Sequence, residues 1–306
     1  MFFIADAHCD TLYERAIHHT SPENCVVTKE RMQAGHVGLQ TFALFTGRKG
    51  TNGTAYQDGK DMLKESYALE VPVLRGKLPE AFPQEPTGII SCEGGEMLEG
   101  SLDRLAEFDD ETRLRMITLT WNFENEIAYP GKSGSLEGLK PFGFELLAEM
   151  DRRGILPDVS HLNDAGFWDV VNHAKMPPIA SHSDCRWICN HSRNLTMDMV
   201  KAIIDRKGFI GINFYGSFLS ETEPYTLDQL RRHIDEMYEL GAEDVLGFGS
   251  DFDGIDTWPE GLSNPADFPN VMEMLASHGY TDAQLEKLGW RNLWRVLKTA
   301  DDARAV

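Results

Sequence analysis

Two periods of apolar residues alternate along this chain. Short apolar, β-prone runs recur at residues 3–7, 37–45, 88–92, 115–120, 155–160, 178–181, 209–214 and 245–249. Between most of them lie stretches with helical spacing, at 143–153, 165–173, 196–206 and 227–240. The last is amphipathic, with Leu227, Leu230, Ile234 and Met237 near one face. Strands that alternate with helices imply a parallel sheet. Eight such units over 306 residues predict a (β/α)8 TIM-type barrel, a single catalytic domain over 1–306. An open doubly wound sheet is the alternative, but no Gly-x-Gly-x-x-Gly follows the first strand. In a barrel the active site lies at the C-terminal ends of the strands. Two long Gly-containing loops, 46–60 and 122–138, follow strands two and four on that face.

The strand ends carry the chemistry. The first run closes on His8-Cys9-Asp10, and alternation predicts that His8 and Asp10 share a face. Alone, His-x-Asp is an ordinary tripeptide. The third run, however, leads into Glu93, the fifth into His161, the sixth into His182 and the eighth into Asp251. Any one of these is easily a core histidine, a helix cap or a turn carboxylate. Ionisable groups at five strand ends would share one barrel mouth, where their burial is costly without a cation. The set suits two divalent zinc ions. His8 and Asp10 would serve one and His161 and His182 the other, with Glu93 and a hydroxide bridging them. Asp251 is then placed to handle protons.

Composition narrows the field. There are 49 acidic and 29 basic residues, for a net charge of −20. That excess disfavours nucleic acid and anionic membrane surfaces, both of which select basic proteins. The sequence has no apolar run of membrane-spanning length. Five cysteines, an odd number, fit reduced thiols, and together with the absence of a leader pattern they predict a cytoplasmic protein. Cys185 and Cys189 lack the second pair of a zinc finger, and Cys9 and Cys92 are expected to point away from the site. His18, His19, His36, His173, His233 and His278 read as structural or surface residues. Trp290 and Trp294 read as helix core.

The motifs Asp6-Ala7-His8-Cys9-Asp10, Glu93-Gly94-Gly95, Asp158-Val159-Ser160-His161, Ser181-His182-Ser183, Ser192-Arg193-Asn194 and Gly247–Gly254, in this order, resemble the membrane (renal) dipeptidase family of amidohydrolase-type metal-dependent barrels. Asn213-Phe214-Tyr215 and Asn292-Leu293 extend the likeness over nearly the whole chain. The resemblance implies a binuclear zinc centre with the ligands named above and hydrolysis of dipeptides, with a D-residue tolerated at the C-terminal position. It also implies that Arg193 grips the substrate's terminal carboxylate, that Asp251 is the general acid/base, and that Tyr215 lines the pocket. A homodimer is a further implication. One position departs from the family. Trp121 stands after Thr118-Leu119-Thr120 where members usually carry a substrate-contacting histidine. Trp can donate one hydrogen bond but carries no charge, so oxyanion binding would shift to the metal or to Asn122. Two rival expectations follow: a metal-dependent hydrolase of another amide or lactone, or a catalytically silent binding barrel.

Overall fold

The computed structural model describes residues 1–47 and 53–304. Eight parallel strands close into a barrel in sequential order, β1 to β8. They are β1 (Ile4–Cys9), β2 (Val37–Phe45), β3 (Thr87–Glu93), β4 (Met116–Thr118), β5 (Leu156–Asp158), β6 (Ile179–Ala180), β7 (Phe209–Ile212) and β8 (Leu246–Phe248). The expected apolar runs are these strands. Every strand residue is buried, as expected where a parallel sheet is covered on both faces.

The helices form the outer layer: α1 (Thr11–Ala16), α2 (Lys29–Ala34), α3 (Ala55–Glu65), α4 (Leu102–Thr112), α5 (Pro141–Arg153), α6 (Asp164–His173), α7 (Met197–Asp205), α8 (Gly216–Leu219), α9 (Leu227–Glu239), α10 (Phe268–Ser277), α11 (Asp282–Glu286) and α12 (Asn292–Ala303). Side-chain caps start several of them. Asn163 accepts the Gly166 N–H, and Thr226 and Gln229 form a reciprocal capping box on α9. On α9, Leu230, Ile234 and Met237 are buried, the face its spacing predicts. Leu293, Val296, Leu297 and Ala300 of α12 pack with Ala5, Leu39, Ile89, Met116 and Leu156 in a core separate from the larger one between helices and barrel. Trp294 is buried in it, while Trp290 lies half-buried beside Phe82.

One expected loop is shorter than the sequence implies. Thr54 caps a helix that begins at Ala55, so the second half of 46–60 is helical. Residues 48–52 of that loop lie outside the described residues. Among the described residues no helix is long and apolar enough to cross a membrane.

Candidate metal centre

The side chains predicted from the strand ends converge at one mouth of the barrel. His8 comes from β1, and Asp10 follows at the start of α1. Strand β1 ends at Cys9, so Asp10 joins His8 through the turn and not through strand alternation. Glu93 is the last residue of β3. His161 and His182 lie just beyond β5 and β6, and Asp251 just beyond β8. His161 and Asp251 have φ of 68° and 63°, left-handed conformations that non-glycine residues adopt at a cost.

Glu93 divides its two oxygens. Oε2 lies 3.3 Å from His8 Nε2. Oε1 lies 2.9 Å from His161 Nε2 and 3.4 Å from His182 Nε2. His8 Nε2 also faces Asp10 Oδ2 at 3.7 Å and Asp251 Oδ1 at 3.8 Å. Donor atoms therefore gather in two groups sharing His8, one with Glu93 and His182 and the other with Asp10 and Asp251. Gly254 makes the second group possible. A Cβ there would stand 2.1 Å from Asp10 Oδ2 and 2.8 Å from Asp251 Oδ1.

The surroundings aim the histidines. His161 Nδ1 meets Asn122 Oδ1 at 3.1 Å, an oxygen that can only accept, so the ring proton sits on Nδ1. His182 Nδ1 meets Ser181 Oγ at 2.7 Å, and that hydroxyl donates its own proton to Asp158. Both rings thus present an Nε2 lone pair, and the two Nε2 atoms lie 3.1 Å apart. Asp158 also accepts the N–H groups of Ser160 and Ser181.

The electrostatics point to missing positive charge. Burial, reinforced by the Arg193 and His8 charges, holds His161 and His182 well below the ordinary imidazole range, so both are neutral. Burial pushes Glu93 up to about 8, with Asp10 and Asp251 adding to the rise against the pull of His8. Burial likewise lifts Asp251 to about 6. Burial works against a charged His8, yet Glu93 and then Asp10 raise it well above the usual value. His8 Nε2 and Asp10 Oδ1 are buried with no hydrogen-bond partner. Two neutral imidazoles, three crowded carboxylates and orphaned donor atoms fit divalent cations of the zinc type.

A cavity of about 670 Å³ opens above the centre. Trp121, Asn122, Tyr215, Arg193 and Asp251 all line it. Trp121 forms a wall, its ring 4.9 Å from Phe45 and 6.2 Å from His161. Asn122 spends its carbonyl on His161, so its first task is to orient that ring. Arg193 is buried with loose partners: the His182 carbonyl at 3.3 Å, the Ser183 hydroxyl at 3.5 Å, and none for Nε. Asn213 Nδ2 donates to Asp251 Oδ2 at 2.9 Å. Lys132 and His191 also line the cavity, and no role for them or for Asn213 is legible from sequence spacing alone. His233, predicted structural, is a core residue held by the Cys185 N–H and the Leu219 carbonyl.

A parallel barrel with buried histidines and carboxylates at its strand C-terminal ends defines a class, the metal-dependent hydrolases of (β/α)8 fold. Within that class the chain belongs to the membrane dipeptidase family, peptidase family M19, whose model matches residues 1–306. It is an enzyme of metallopeptidase type. It is 36% identical over 195 residues to an uncharacterized protein encoded in the pqqA 5′ region of Klebsiella pneumoniae, covering 60% of this chain and 72% of that one. It is 31% identical over 220 residues to an uncharacterized dipeptidase of Schizosaccharomyces pombe, covering 71% of this chain and 54% of that protein. A solved M19 dipeptidase superposes with a TM-score of 0.87 at 25% identity, covering 97% of this chain and 98% of the other. A metallopeptidase from Rhodobacter sphaeroides, liganded with a phosphinate mimic of L-Ala-D-Ala, shares the fold with a TM-score of 0.87 at 24% identity over 97% and 99% of the two chains.

Proposed function

We propose that the enzyme hydrolyses dipeptides with two divalent metal ions, zinc by the donor set, held by His8, Asp10, Glu93, His161 and His182. The observation that carries this reading is Glu93, whose two oxygens face His8 on one side and the His161–His182 pair on the other. Such ions supply Lewis-acid polarisation of the scissile carbonyl and a water that ionises near neutral pH. The protein's own groups do the rest. Arg193, buried and loosely held, offers its planar fork to the C-terminal carboxylate. Asp251 takes a proton from the attacking water and delivers it to the leaving nitrogen. With Oδ2 occupied by Asn213, its Oδ1 is the atom free to do so. Trp121 and Tyr215 shape the walls around the substrate. Tolerance of a D-residue at the C-terminal position belongs to the same proposal and rests on family membership. A cytoplasmic setting is proposed on separate grounds, five buried, unpaired cysteines.

Metal content measured after zinc loading and desalting tests the shared ligand. The expected result is two equivalents per chain, falling to one or fewer in Glu93→Gln. A single equivalent in the parent protein, unchanged by that substitution, contradicts the reading.

A further inference from the structure

We propose that the enzyme prefers dipeptides whose C-terminal residue carries an acidic side chain, with Lys132 as the cation that selects it. The inference rests on the dipeptidase reading and on Arg193 holding the terminal carboxylate.

Lys132 sits in a single turn, Gly131–Ser133, that the fold pins beside both the metal centre and Arg193. The Gly131 N–H donates to the His161 carbonyl at 2.8 Å. Pro130 pairs with Leu162, and the Ser133 hydroxyl donates back to the Pro130 carbonyl at 2.7 Å. Gly131 packs so closely that a Cβ there would come within 3.1 Å of the carbonyl oxygen of Ser192, the residue before Arg193. The lysine therefore rides on backbone tied to a metal-site histidine and packed against Ser192, the residue before Arg193.

Its side chain lines the cavity and is exposed. Among the described residues no carboxylate pairs with its ammonium. His191, another residue of the lining, is held below the ordinary imidazole range by burial, then by Arg193 and Lys132. The same cavity is also lined by the acidic residues Glu14, Asp251 and Asp256. Glu14 is already engaged by His18 and Thr20.

A dipeptide brings one terminal carboxylate into this cavity, and Arg193 satisfies it with one bidentate fork. Lys132 is then left with nothing to pair. The side chain of the C-terminal residue leaves the same Cα as the terminal carboxylate. A short acidic side chain there supplies the second anion beside the second cation. Glu14 and Asp256 in the same lining favour the substrate's ammonium end and disfavour an acidic N-terminal side chain.

The test is steady-state hydrolysis by the metal-loaded enzyme of Ala-Asp against Ala-Asn, which match in shape and differ in charge, each with an L- and a D-residue at the second position. The expected kcat/KM ratio favours Ala-Asp by about fivefold, the size of one solvent-exposed ion pair, and shrinks as salt is added. Lys132→Gln brings the ratio to within about twofold of unity and Lys132→Glu inverts it. A merely structural lysine would change both substrates alike and leave the ratio intact, which overturns the assignment. Equal rates in the parent enzyme overturn the preference while the dipeptidase reading stands. No hydrolysis of either substrate overturns both.

Discussion

His161 and His182 face each other through Nε2 atoms 3.1 Å apart, while each commits its Nδ1 proton elsewhere, to Asn122 and to Ser181. Two lone pairs at that distance repel unless a cation stands with them. Metal binding should therefore be coupled to folding. Chelation is expected to lower the melting temperature by about 5 °C or more, since a ligand at a hundredfold excess over its Kd contributes about 2.7 kcal/mol. Re-addition of zinc should restore it. A melting curve indifferent to chelator would mean that the pair is stable empty.

The Ser181 hydroxyl links His182 to Asp158 and should matter without touching substrate. Ser181→Ala removes the acceptor that fixes the His182 ring. The metal concentration for half-maximal occupancy, measured by titration, is expected to rise by about 10- to 100-fold. An unchanged titration would show that the ring is held by packing alone.

Asp251→Asn keeps the size of the side chain and removes its basicity. The expected outcome is a loss of about 100-fold or more in kcat, with KM changed far less and the melting temperature near the parent value. Retention of activity within tenfold would transfer the proton role to another group.

Acid stability reports on a residue outside the site. His233 accepts the Cys185 N–H at Nδ1 and faces the Leu219 carbonyl with Nε2, each at 3.0 Å. Burial pushes it down to about 4, against about 6.5 for an unfolded histidine. The folded form is thus the neutral one. Its stabilisation is full above pH 6.5 and is lost as pH falls toward 4. Between pH 7 and 4.5 the parent is expected to lose about 2 kcal/mol more unfolding free energy than His233→Gln, by denaturant titration of metal-free protein. Parallel acid limbs would contradict the assignment.

The sequence discloses the barrel because each parallel strand is buried on both faces and so reads as a continuous apolar run. It discloses His8, Glu93, His161, His182 and Asp251 because a charged residue at the end of such a run breaks the pattern. What it conceals depends on neighbours distant in the chain. The Ser181–Asp158 link needs β5 and β6 side by side. The roles of Asn122 and Asn213 need the loop after β4 folded over His161 and the end of β7 beside Asp251. Gly254 looks like a turn glycine until two carboxylates are seen filling the space a Cβ would take. Asp10 lies beside His8 through the turn into α1 and not through strand alternation, because β1 ends one residue earlier. The start of α3 is hidden because Thr54, its helix cap, sits in a run of Gly and Thr that reads as loop.

The central claim is a metal-dependent dipeptidase. It is tested most directly by a chelator-controlled hydrolysis screen over L-L and L-D dipeptides, in one preparation stripped of metal and then reloaded with zinc. The account predicts turnover in the loaded protein, extending to L-D substrates, abolished by stripping and restored on reloading. Failure of the metal-replete enzyme to hydrolyse any dipeptide, or turnover that survives complete removal of metal, would contradict it.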